Sequence, residues 1–149
     1  MKIGEDGFPE VGNSKALGVR VAGEPAPPGQ QPDVVTESDG TVDPVRRQGM
    51  SVVPEWWELK PYLIPKRLTG RRPRNLQARI DEWEPTGSNK LACYRLDEEP
   101  FEDHDINADL ALLVDIPTHG VILPTHRVSL VAYRAALAAT RTKWIIDET

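Results

Sequence analysis

The sequence predicts an α+β domain: a compact, split and mostly antiparallel β-sheet with one long C-terminal helix against it. Three observations carry that expectation. The chain holds 14 prolines in 149 residues, well above an average usage of about 5%. Each fixes φ and removes a backbone donor, so long helices are disfavoured over most of the chain. Short alternating runs of strand length recur between glycine- and proline-marked turns. Only "SLVAYRAALAATRTKW", residues 129–144, keeps a helical period. The 39% hydrophobic and 28% charged shares are ordinary for a globular domain. Residues 1–16 are expected to form a flexible N-terminal segment, and residues 17–149 a single domain.

The elements follow in chain order. "LGVRV", residues 17–21, alternates between glycines and reads as a short strand. Residues 22–32 have no period and read as a mobile loop. Asp39-Gly40 is a turn signal between "DVV" and "TV" and predicts a hairpin. "GMSVV" is a strand stopped by Pro54. "PEWWEL" suits one helical turn with Pro54 at its first position. "KPYLIPKRL" alternates between prolines, as an edge strand does. The whole stretch 33–68 is too apolar for a linker and is expected to wall a cleft. "NLQARIDEW" suits a short helix with Leu76, Ile80 and Trp83 on one face. "KLACYRL", residues 90–96, reads as a strand. "LALLV", residues 110–114, reads as a central strand buried on both faces. "HGVILP" follows the Pro117 turn as another strand. Ser129 caps the long helix. Leu130, Tyr133 and Leu137 share its inner stripe. "KWIID" returns to the sheet as a last strand.

Several function classes are disfavoured by composition. A single cysteine, Cys93, cannot form an internal disulfide. A net charge of −5 gives no field that would draw the chain to nucleic acid or anionic membrane. No segment reaches the run of about 20 apolar residues that a membrane helix needs. The start of the chain shows no cleavable signal peptide, so the expected location is the cytoplasm, its own or that of a target cell. No metal site is expected: His104 lies in "DHD", whose neighbours cannot all converge, and no HExxH or CxxC occurs. No Walker or GxGxxG phosphate loop occurs either. The basic run "PKRLTGRRPR" (Lys66, Arg67, Arg71, Arg72, Arg74) has the charge to grip phosphate or RNA. It lacks interleaved aromatics, so a solvated loop is the plainer reading. Cys93, mid-strand, reads as a small packing hydrophobe. Ser51, His119 and an acid would make a nucleophilic triad, without a GxSxG elbow around the serine.

A further grouping uses polar residues on glycine-flanked strands. Arg20 lies mid-strand in "GVRV" and Ser51 in "GMSV". His119 sits at the mouth of "HGVILP", where Gly120 permits close approach of a ligand or of backbone. Taken singly, each has a structural explanation: a solvent-facing arginine, a filler serine, a turn histidine. Together they could line a crevice for a flat ligand edge-on. Trp56 and Trp57 would stack on that ligand or fill the core.

The order "PDVV…DGTVDP…GMSV…IPKRL…THGVILP…YRAAL…W" resembles the type VI secretion effector toxins with an ADP-ribosyltransferase-like fold, the family of small cytoactive toxins known from Pseudomonas, or a wider uncharacterised bacterial family related to it. The likeness spans most of residues 17–144 and rests on the order of short motifs. It implies an NAD-binding cleft between two halves of a split sheet, with NAD as substrate. Arg20 matches the first-strand position that holds the dinucleotide. Ser51 matches the small hydroxyl residue that orients the nicotinamide ribose. With Trp56 these form the implied binding set, and Ser51 and His119 the implied catalytic set. The sequence departs from the family where a Gln-x-Glu or Glu-x-Glu pair belongs. Glu98, Glu99 and Glu148 are available but no motif places them.

The resemblance therefore implies a bacterial toxin that transfers ADP-ribose to a macromolecule or hydrolyses NAD, accompanied by a cognate immunity protein. The alternative expectation is a non-catalytic protein-binding module on the same fold.

Overall fold

A computed structural model describes residues 1–26, 28–72 and 84–149. The expected helix over "NLQARIDEW" and Arg74 of the basic run lie outside the described residues.

The architecture is α+β, with three antiparallel sheets and one C-terminal α-helix among the described residues. The main sheet holds β2 (Met50–Val52), β4 (His104–Asp105), β5 (Leu110–Ile116) and β6 (His119–Pro124), in the order β2-β6-β5-β4. A second pairs β1 (Thr41–Val42) with β7 (Val128–Ser129). A third pairs β3 (Tyr94–Leu96) with β8 (Trp144–Ile146). The helix α1 (Leu130–Ala139) follows β7 directly. No helix among the described residues is long and apolar enough to cross a membrane.

The strongest local signals behave as the residue pattern requires. The Ser129 side chain accepts the Ala132 N–H and caps α1. Tyr133 and Leu137 enter the core from one stripe. The hairpin β5–β6 closes around Pro117, and "KWIID" does pair, with β3. The helix is shorter than its period suggests. It ends at Ala139 because Thr140 turns its hydroxyl back onto the Leu137 carbonyl, and the Trp144 indole N–H donates to that same hydroxyl. This pulls Trp144 into the core and converts the next residues into β8.

Other expectations are corrected. Residues 17–21 form no strand; only isolated bridges occur, Val11 with Leu17 and Val21 with Val34. The Asp39-Gly40 turn forms, with Gly40 at φ 79° and the Asp39 carboxylate accepting from Thr41. It does not close a DVV–TV hairpin, because β1 pairs with distant β7. "KPYLIPKRL" is two 3-10 turns, Pro61–Leu63 and Lys66–Leu68, that send Ile64 and Leu68 into a small second core with Trp56 and Cys93. The prolines start those turns at fixed φ instead of edging a sheet. β5 buries Leu110 and Leu112 on one side while Ala111 and Leu113 stay partly exposed. Buried on both faces is β6, from Gly120 to Pro124.

The opening residues meet the body at several points. Lys2 bridges Leu91, and the Ala92 N–H donates to the Met1 carbonyl at 2.8 Å. Arg141 grips both oxygens of Asp6 at 2.6 Å and the Pro9 carbonyl at 2.7 Å. That fork holds the Asp6 carboxyl down to about 2.

Candidate functional site

A cleft of about 1030 Å³ runs beside the open edge of β2. Its volume is at the upper end of ligand sites, about 300–1,000 Å³. The eight consecutive residues Arg47 to Pro54 line it, as do Asp33, Trp56 and Lys60, so the proline-rich stretch does form a wall. Arg20, Ser51, Trp56 and His119 all line this one cleft.

Arg20 is the unusual member. It is 8% exposed, not the solvent-facing residue its alternation suggests. Its backbone is fully used: the N–H donates to Asp33 Oδ2 at 2.8 Å, and the carbonyl accepts the N–H groups of Asp33 and Val34. Its guanidinium makes no hydrogen bond or ion pair among the described residues. Burial holds the Asp33 carboxyl above its ordinary range, against the Arg20 N–H and the charges of Arg20 and Lys60. The electrostatic balance at this end of the cleft is thus a buried cation beside a carboxyl that resists ionising.

Ser51 and His119 sit on the opposite face of the main sheet from the core-facing Met50 and Ile122. Ser51 pairs with Val121, and His119 precedes Val121 by two residues, so the two project from the same face as diagonal neighbours. They are not hydrogen-bonded to each other. An acid does meet the histidine. His119 Nδ1 lies 2.7 Å from Asp115 Oδ1 and 3.0 Å from Oδ2. The register explains the encounter: Val114 pairs with Gly120 and Ile116 with His119, leaving Asp115 as the extra residue of a β-bulge. Such a bulge re-aims a side chain. The hydrogen bond from His119 holds the Asp115 carboxyl below its usual range. Gly120 serves its own chain: an added Cβ would meet the Leu113 carbonyl oxygen at 2.9 Å and the Phe101 ring at 3.4 Å.

Trp56 is a wall residue. It is 8% exposed, packed edge-to-face on Trp57 at 5.5 Å, with its indole N–H on the Thr149 carbonyl at 3.2 Å. Cys93 is buried, and burial followed by the Glu148 charge pushes its thiol up to about 11, which disfavours the nucleophilic thiolate. Of the acids without a motif, Glu148 is spent on Arg67 and the Cys93 N–H. Glu98 is exposed, and Glu99 lines the cleft. No group of three or more His, Cys, Asp or Glu among the described residues is placed to hold a metal.

Glu99 is held by His104, whose Nε2 lies 2.5 Å from its carboxylate, while Nδ1 lies 2.7 Å from the Glu102 carbonyl. Both ring nitrogens face acceptors, which favours the imidazolium. The Glu102 carbonyl first, then Glu99, raise the His104 pKa above its ordinary 6.5. A raised histidine pKa contributes stability that is complete below 6.5 and lost as pH rises through the folded value. Denaturant unfolding is expected to show this loss as pH rises above 6.5 in the parent, and its absence in His104→Gln. An identical pH slope in both proteins would refute the assignment.

Sequence reasoning missed Asp115, although its position before Pro117, four residues from His119, marks the two arms of one hairpin. No protein-family model matches the chain, and neither a curated protein nor a solved structure matches it.

Proposed function

We propose that this chain is a cytoactive bacterial effector with an ADP-ribosyltransferase-like fold that acts on NAD in the β2 cleft. It either transfers ADP-ribose to a macromolecule or hydrolyses the dinucleotide. The observation that carries the reading is Arg20, a buried residue on the wall of a ligand-sized cleft whose guanidinium makes no hydrogen bond or ion pair among the described residues. A charge on a mostly buried residue without a hydrogen-bonded partner is costly. A planar guanidinium is matched best by a bidentate carboxylate or phosphate, and the NAD diphosphate supplies the latter. Ser51 would meet the ribose, and His119 the reacting end. A producer of such a chain needs an immunity protein, and delivery would place the effector in a target cytoplasm.

A second reading, a non-catalytic protein-binding module, is favoured by the open edge of β2. Among the described residues strand β2 has one neighbour, β6, and Met50, Ser51 and Val52 line the cleft. An extended segment could add there.

The test is inducible expression in a bacterial cytoplasm, wild type beside Arg20→Ala and Ser51→Ala, following growth and cellular NAD together. Arrest with falling NAD in the wild type alone supports the enzyme. Normal growth with soluble wild type refutes the toxin and turns attention to the binding module.

A further inference from the structure

We propose that Asp115 and His119 form the water-activating pair of this cleft, with His119 Nε2 as the general base and Asp115 as its positioning residue. The inference rests on the NAD reading above and assigns its reaction to hydrolysis.

The bulge in β5 brings the Asp115 carboxylate onto His119 Nδ1, at 2.7 and 3.0 Å. A carboxylate accepts only, so Nδ1 must carry the hydrogen. In the neutral ring Nε2 is then left with its lone pair, and it has no partner among the described residues. His119 and Asp115 both line the cleft, and neither is buried. The other two histidines differ. His104 has both nitrogens against acceptors. His126 shares Nδ1 with the Thr125 hydroxyl and does not line this cleft. Of the three, only His119 combines an orienting carboxylate, a free nitrogen and a place in the cleft. Ser51, its diagonal neighbour, presents a free hydroxyl on the same face.

The step balances without a further reagent. The water oxygen bonds to C1′ of the nicotinamide ribose as the glycosidic C–N bond breaks. Nicotinamide leaves with the bonding pair, which neutralises its ring charge. The water proton passes to His119 Nε2 and then to solvent, so the products are ADP-ribose, nicotinamide and one proton. A positioned base contributes about 10²- to 10⁴-fold to such a step. Fixing the tautomer of a histidine through its second nitrogen is a recurring role for a carboxylate.

The test measures NAD affinity and NAD turnover separately across pH, with the full chain and its His119→Gln, Asp115→Asn and Asp115→Glu variants. His119→Gln is expected to keep affinity within about twofold, which also reports an intact fold. It should lose turnover by about 100-fold or more. Asp115→Asn should lose about tenfold, and Asp115→Glu should recover part of it. Nitrogen NMR of the parent should show the Nδ1-protonated tautomer of His119, and Asp115→Asn should lose that preference. Undiminished turnover in His119→Gln overturns the assignment and leaves the cleft reading intact. So does a wild type that binds NAD without cleaving it. A wild type that binds no NAD overturns the NAD reading, and the base with it.

Discussion

Gly49→Ala is expected to melt well below the parent, by about 6–12 °C for a cost of about 3 kcal/mol. The cause is a single crowded point at the start of β2. A Cβ there would lie 2.2 Å from the Ile122 carbonyl oxygen and 2.9 Å from the Tyr133 hydroxyl. Neither neighbour can yield. The Ile122 carbonyl belongs to β6, buried at the centre of the molecule. The Tyr133 hydroxyl stands inside the β2–β6 ladder, accepting the Met50 N–H at 3.1 Å and donating to the Ile122 carbonyl at 2.6 Å. Burial pushes this phenol pKa up, which favours the protonated, donating form. The ladder can only relieve the clash by releasing β2, and β2 is the edge along which the cleft runs. Thermal unfolding followed by circular dichroism decides it. A melting point within about 2 °C of the parent would show that β2 is not seated as described.

Arg20→Met is expected to do the reverse, raising stability while removing function. Methionine fills the aliphatic volume of the arginine stem and needs no partner. Removing a mostly buried charge that makes no hydrogen bond or ion pair among the described residues should stabilise by about 1–2 kcal/mol, or about 2–8 °C. The backbone bonds of residue 20 to Asp33 and Val34 are independent of its side chain. Stability given up at a binding site is a common signature of function. The informative result is the pair of measurements together: a higher melting point and no growth arrest. A lower melting point would mean that the guanidinium is structural, and the anchoring role assigned to it would fall.

Recognition of Arg20 from sequence illustrates both the reach and the limit of local reasoning. Its place between glycines marks it as a candidate, yet the alternation of "GVRV" sends it to solvent. The strand that alternation assumes does not form, so the side-chain period of two has no sheet to act on. That Ser51 and His119 fall on one face follows from the β2–β6 pairing, which preserves that period. Asp115 was not legible, because a bulge breaks the period at that residue, and a bulge is decided between strands.

What the sequence determined by itself are features whose cause lies within a few residues. The Asp39-Gly40 turn, the Ser129 cap, the Tyr133–Leu137 stripe and the β5–β6 hairpin each follow from local sterics or from hydrogen bonds to near neighbours. The tertiary structure alone decided which strands pair, that β1 joins β7, and that residues 61–68 turn inward to bury Ile64 and Leu68. It also decided that Thr140 halts the helix for Trp144, and that Arg20 is enclosed. Each of these depends on the area a distant partner removes from water or on a hydrogen bond across the core. Such terms have no counterpart in a local pattern and outweigh its preferences once the chain closes.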